Sequence, residues 1–110
     1  MTDWGSHKLD VHELSGSVSA ETTIWSPSGS LRIVPTHIQA TVATGGLLQL
    51  FFESNSSGNR LVSIRVGDNG GIVREFEARS GRVGGAGQAL KAIHSGGGLV
   101  SILVEGFTRS

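Results

Sequence analysis

The chain has no cysteine among its 110 residues. That excludes a disulfide framework and a thiolate zinc site, and it fits a reducing compartment without requiring one. Tyrosine is also absent, leaving two tryptophans and four phenylalanines as the whole aromatic stock. Neither sign of charge prevails, since nine basic side chains meet nine acidic ones. Arg32, Arg60, Arg65, Arg74, Arg79, Arg82 and Arg109 are dispersed and matched by acids such as Glu53, Asp68, Glu75, Glu77 and Glu105. Binding of free nucleic acid, which needs a basic face, is not expected. No apolar run approaches the roughly 20 residues that span a bilayer; the longest, Leu47 to Phe52, is broken by Gln49. The amino-terminal Met1-Thr2-Asp3-Trp4-Gly5-Ser6-His7 lacks a basic stretch followed by an apolar one. Neither a secretory signal nor a membrane partner is expected, and synthesis in the cytoplasm is.

What is abundant is glycine: seventeen residues, clustered at Gly45-Gly46, Gly70-Gly71, Gly84-Gly85 and Gly96-Gly97-Gly98. Each cluster marks a reversal. Between them lie short runs of Val, Ile, Leu, Thr and Phe, as strands prefer. The runs fall at Val18–Ile24, Ser30–Val34 with His37–Thr44, Leu47–Ser54, Arg60–Val66, Ile72–Ala78, Ala89–Ser95 and Leu99–Phe107. Pro35 interrupts the second and implies an edge, a bulge or a switch of sheet. Asn69-Gly70 reads as a type I′ hairpin turn, and Arg79 to Gln88 as a long loop. The adjacent Phe51 and Phe52 point to opposite faces, so both are buried only if both faces of their sheet are covered. This pattern predicts an all-β fold, a small antiparallel β-sandwich or jelly roll of about seven or eight strands.

Residues 1–16 differ from the rest and are read as an N-terminal arm on a β-sandwich domain spanning 17–110. They mix Asp3, His7, Lys8, Asp10, His12 and Glu13 with Trp4, Leu9, Val11 and Leu14. Two readings stand open: a frayed terminus, or an arm that orders on a neighbouring subunit. On the second, Trp4, Leu9 and Val11 make the arm contact, with Trp25 as a secondary anchor before the Ser26-Pro27-Ser28-Gly29 turn. One domain this small buries only about 60–70% of the surface its unfolded chain exposes, and oligomerisation is a common remedy. Near-zero net charge gives little repulsion between copies.

Catalytic chemistry finds little support. His7 and His12 lie five apart and face opposite ways on a strand. His37 and His94 occur singly, as hydrogen-bonded structural histidines do more often than metal ligands. No His-x-His or His-Glu-x-x-His is present, and no serine sits in a Gly-x-Ser-x-Gly elbow. Glu75 and Glu77 would share a strand face, with Arg74 and Arg79 beside them as a solvated rim or subunit salt bridge. Asn55-Ser56-Ser57 matches a glycosylation sequon by chance composition. The chain is expected to be no enzyme and to hold no cofactor or metal. An enzyme would have to gather His37, His94 and Glu75 into one cleft. A carbohydrate-binding module, using Trp25 or the loop at Asp68 and Asn69, is the main rival.

From Thr22 to Phe107 the order of features resembles small phage virion proteins of the head-decoration or minor structural type. The residues that carry the likeness are Thr22-Thr23-Ile24-Trp25-Ser26-Pro27-Ser28-Gly29-Ser30-Leu31-Arg32-Ile33 and Leu48-Gln49-Leu50-Phe51-Phe52-Glu53. After these come the turn Asn55-Ser56-Ser57-Gly58, Asn69-Gly70-Gly71-Ile72-Val73, Gly85-Ala86-Gly87-Gln88-Ala89-Leu90 and Gly97-Gly98-Leu99-Val100-Ser101-Ile102-Leu103-Val104. The resemblance implies a capsid decoration or cement subunit of β-sandwich type. It would act as a homotrimer on the lattice of major capsid protein, at the virion surface, with a tail or neck component as the nearest variant.

Overall fold

The structure, a computed structural model, describes residues 9–77 and 82–110. Among these residues it is all β: eight strands in two antiparallel sheets of four. The strands are β1 (Asp10–Gly16), β2 (Thr22–Trp25), β3 (Arg32–Val42), β4 (Gly46–Phe52), β5 (Arg60–Val66), β6 (Gly71–Glu75), β7 (Leu90–His94) and β8 (Val100–Arg109). The first sheet runs β1-β8-β3-β6 and the second β2-β7-β4-β5. Two four-stranded sheets interleaved in this way, with first and last strands paired, make the double Greek key of a jelly roll.

Period-2 patterning builds the core. Ile38, Ala40 and Val42 of β3 and Val100, Ile102 and Val104 of β8 turn inward from the first sheet. Leu48, Leu50, Val62, Leu90 and Ala92 meet them from the second. Phe52 joins this core, while Phe51 on the opposite face is equally buried. Phe51's cross-strand neighbours are Lys91 and Arg60, whose long stems can lie along an aromatic ring. Both faces of β4 are therefore covered.

Two expectations change. Asp10–Gly16, taken as part of an arm, is a strand of the domain's own sheet, paired residue by residue with β8 from Asp10↔Gly106 to Gly16↔Val100. Its alternation is period 2: Val11, Glu13 and Ser15 are exposed while His12 and Leu14 turn inward. Its high charge reflects an edge strand, where charged side chains oppose unwanted pairing. Asn69-Gly70 does not close a hairpin, because β5 and β6 lie in different sheets. Only Asn69 takes a left-handed φ (57°) in that turn, where type I′ needs two. The turn is tied to its neighbour instead, Asn69 N–H donating to the Ala43 carbonyl and Gly45 N–H to Asp68 Oδ1 at 2.7 Å. The glycine triplet joins the last two strands as expected, and carries the chain from β7 in one sheet to β8 in the other.

Pro35 sits at a bulge within β3, where the register shifts between Pro35 and His37. β6 begins to pair with β3 only at His37↔Glu75, so the missing Pro35 N–H leaves no ladder bond unmade on that side. Across the bulge, β8 presents Gly106, where an added Cβ would come 2.3 Å from the Val34 carbonyl oxygen. The loop after the undescribed residues 78–81 runs along the start of β3, Gly84 N–H bonding to Ile33 and Gly87 N–H to Leu31.

Candidate interaction faces

Register fixes which side chains share the outer face of the first sheet. The pairings Val11↔Glu105, His37↔Glu105 and His37↔Glu75 make one row. Glu13↔Leu103, Gln39↔Leu103 and Gln39↔Val73 make the next, and Ser15, Ser101, Thr41 and Gly71 a third. Val11 and Val73 are large apolar side chains more than half exposed, at 54% and 59%. Small side chains in the third row leave an open depression of about 360 Å³ between β1, β8 and β3, continued by one of about 290 Å³ toward β6. His37 holds Glu75 at 3.5 Å through Nδ1 and Gln39 at 3.1 Å through Nε2. An exposed pair of this kind contributes little stability.

The outer face of the second sheet is built differently. Its rows are Thr23–Lys91–Phe51–Arg60, then Ile93–Gln49–Ser63, then Leu47 beside Arg65. A polar chain crosses it: Gln49 Nε2 donates to Ser63 Oγ, Asn55 Nδ2 to Gln49 Oε1, and Arg60 Nε to Asn55 Oδ1. Asn55, the sequon residue, is thus occupied in holding its own loop.

Among the site residues expected from sequence, Leu9 (56% exposed) and Val11 lie together at the start of the β1 edge. Trp4 lies outside the described residues. Trp25, expected as a contact anchor, is 4% exposed and belongs to the core. His12 of β1 stacks on it, ring centroids 4.3 Å apart at 20°. The indole face that a sugar would use is already covered, although a depression of about 310 Å³ lies beside it between β1 and the Ser26–Ser28 turn. Sequence reading missed Glu13, Leu103 and Glu105 as partners on one face, because only the β1-β8-β3 register brings them together.

His94 is wholly buried, and neither ring nitrogen has a hydrogen-bond partner among the described residues. This corrects the expectation of a hydrogen-bonded strand histidine. It faces the interior while His37 faces solvent, on different sheets, so His37, His94 and Glu75 do not converge. Glu75 ends β6 and pairs with His37 rather than an arginine, and Glu77 lies past the strand. Among the described residues no group of three His, Cys, Asp or Glu could hold a metal ion. No described helix is long and apolar enough to cross a membrane.

No family model and no curated protein matches the chain. Solved structures do. A chain from the disulfide-linked pili of Bacillus endospore appendages superposes with a TM-score of 0.51 at 10% identity, covering 94% of this chain and 88% of that one. A chain of the virus-like particle of the Macrobrachium rosenbergii extra small virus gives 0.43 at 12% identity, covering 94% and 80%. Peruvianin-I, a cysteine peptidase from Thevetia peruviana latex, gives 0.38 at 13% identity, covering 93% of this chain and 52% of that one. At these identities the likeness is one of fold.

Proposed function

We propose that this chain is a non-enzymatic structural subunit, a decoration or cement protein on the outer surface of a phage head. It is made in the host cytoplasm and binds the lattice of major capsid protein, as a homotrimer. The observation that carries the reading is the outer face of the first sheet, where Val11 and Val73 stand more than half exposed around open depressions. An open, partly apolar, dimpled sheet face suits docking on another protein surface better than enclosing a small molecule. The succession of motifs from Thr22 to Phe107 supports the virion setting. The pilus subunit of similar fold supports repetitive assembly, but its link is a disulfide. A chain without cysteine assembles through noncovalent contacts.

Antibody labelling of virions from the host that carries this coding sequence, viewed by electron microscopy, tests the reading. Label spread over the head supports it. Label confined to the tail or neck moves the subunit there, and unlabelled virions overturn the virion role. The Val11→Glu/Val73→Glu variant is expected to keep its β circular-dichroism spectrum and lose retention on heads in co-sedimentation. Light scattering of the intact chain reads the trimer directly.

A further inference from the structure

The depression of about 310 Å³ beside the start of β1 is a cleft between the first sheet and the end of β2. The stacked rings of His12 and Trp25 line it. Pro27 and Leu31 add apolar surface, while Asp10, Ser26, Ser28 and Thr108 set a carboxylate and three hydroxyls about it. Its volume stands at the small end of ligand pockets, roughly 300–1,000 Å³. That makeup suits one large amphipathic ring, its face on aromatic and proline surface and its N–H given to an oxygen. The chain has such a ring close by. Trp4 stands five residues before Leu9, the exposed residue at which the described structure begins. Extended chain covers at most about 3.6 Å per residue, so Trp4 reaches no more than about 18 Å from there.

We propose that residues 1–8 of one copy cross to a second copy, where Trp4 seats in this cleft against His12 and Trp25. Asp10 and His12 line the cleft, so each copy sends out its segment from beside the place where it receives one. Copies arranged about a common axis with these ends inward each give one segment and take one. The contact is heterologous, and a rotation of a third of a circle closes it. This deepens the homotrimer of the reading above and rests on that reading for the number of copies. Each copy is then held by two contacts, which reinforce one another through the ring. Seating in the same copy's cleft would instead require a reversal within Gly5-Ser6-His7-Lys8 and would leave Leu9, 56% exposed, without cover. Val73, Leu103 and the depressions around Ser101 and Thr41 lie outside this contact and stay available for the capsid.

Sedimentation equilibrium on the intact chain and its variants tests this. The intact chain should weigh three times its 11.4 kDa. A chain lacking residues 2–8 should keep its β circular-dichroism spectrum and weigh as a monomer. Trp4→Ala should raise the apparent dissociation constant of the trimer by at least about tenfold, as loss of a buried aromatic anchor does. Trp4→Phe should keep most of the affinity. The chain has no cysteine, so Gly5→Cys/Ser28→Cys carries two thiols alone, and a short bis-maleimide reads which chains they join. Covalent dimers and trimers on a denaturing gel are expected, and they should vanish when Trp4→Ala is added. A bridge formed only within single chains overturns the proposal, because the segment then sits in its own cleft. A trimer that survives removal of residues 2–8 also overturns it and leaves the homotrimer standing. An intact chain that is monomeric at every concentration removes both. Labelling of virions reads the decoration role separately from all of these.

Discussion

At Glu53 the backbone is left-handed, with φ of 64° and no glycine to ease it. Two bonds hold it there: its N–H donates to the Ala89 carbonyl, and its carboxylate Oε2 accepts from Ala89 N–H at 3.2 Å. An alanine at this position loses the carboxylate bond and keeps the strain, whereas a glycine loses the bond but relieves the strain. Glu53→Ala should therefore destabilise by about 1–2 kcal/mol, and Glu53→Gly should be more stable than Glu53→Ala by about 1 kcal/mol. Urea titrations of the three proteins give the ranking, and a glycine variant weaker than the alanine one would refute the strain account. His94 argues the opposite way. Two buried ring nitrogens without partners cost free energy, of order 1–3 kcal/mol when a donor or acceptor is stranded. A leucine of similar volume strands nothing, so His94→Leu should raise the melting temperature by about 4–8 °C. A drop on thermal unfolding would mean that the ring's fit against the Gly46 and Gly96 backbone outweighs its unmade bonds.

At the scale of the element, close approach and pairing decide. Gly106 faces the Val34–Pro35 bulge so closely that any Cβ must push backbone aside. Gly106→Ala should cost about 2–3 kcal/mol, seen as a melting temperature lowered by more than about 10 °C. An unchanged melt would show that the bulge yields freely. Removing residues 1–16 takes away β1 and with it the edge of the first sheet, Leu14 and the His12 cover on Trp25. That truncation should unfold the domain or lower its melting temperature steeply, whereas a deletion ending before Asp10 leaves every described strand in place. Strands such as β5 were legible because Val62, Ile64 and Val66 alternate cleanly. The turns misled, since glycine and asparagine mark a reversal without saying whether the chain returns to the same sheet or crosses to the other. β1 was hidden by its charges, although its period of two was present. The outer face of the first sheet was not legible at all. Glu13, Glu75 and Glu105 stand far apart in sequence and share a face only through the registers of β1 on β8, β8 on β3 and β3 on β6.

For the whole molecule, topology sets the order of assembly. Of the sheet pairings among the described residues, β4 with β5 alone joins strands consecutive in the chain; β1–β8, β2–β7, β3–β6, β3–β8 and β4–β7 all span other elements. Such non-local pairing puts loop-closure entropy ahead of any reward, and folding is expected in the millisecond-to-second range. The costliest closure brings β1 to β8, strands at opposite ends of the described chain. Their pairing places the start of β1 beside the end of β8, Asp10 opposite Gly106. A circular permutant can therefore join Ser110 to Leu9 through a linker of about five residues. New ends would open between Gly97 and Gly98, in a connection that crosses between sheets and so closes no hairpin. In that chain β8 and β1 become a hairpin, and shortening the loop from most of the chain to a few residues lowers its closure cost by about 2 kcal/mol. If β1–β8 pairing belongs to the rate-limiting step, stopped-flow refolding should speed up by about tenfold, with the unfolding rate nearly unchanged. A permutant that instead refolds at the original rate and unfolds more slowly would place this pairing after the barrier. The β4–β5 hairpin and the strands it recruits would then be where folding begins.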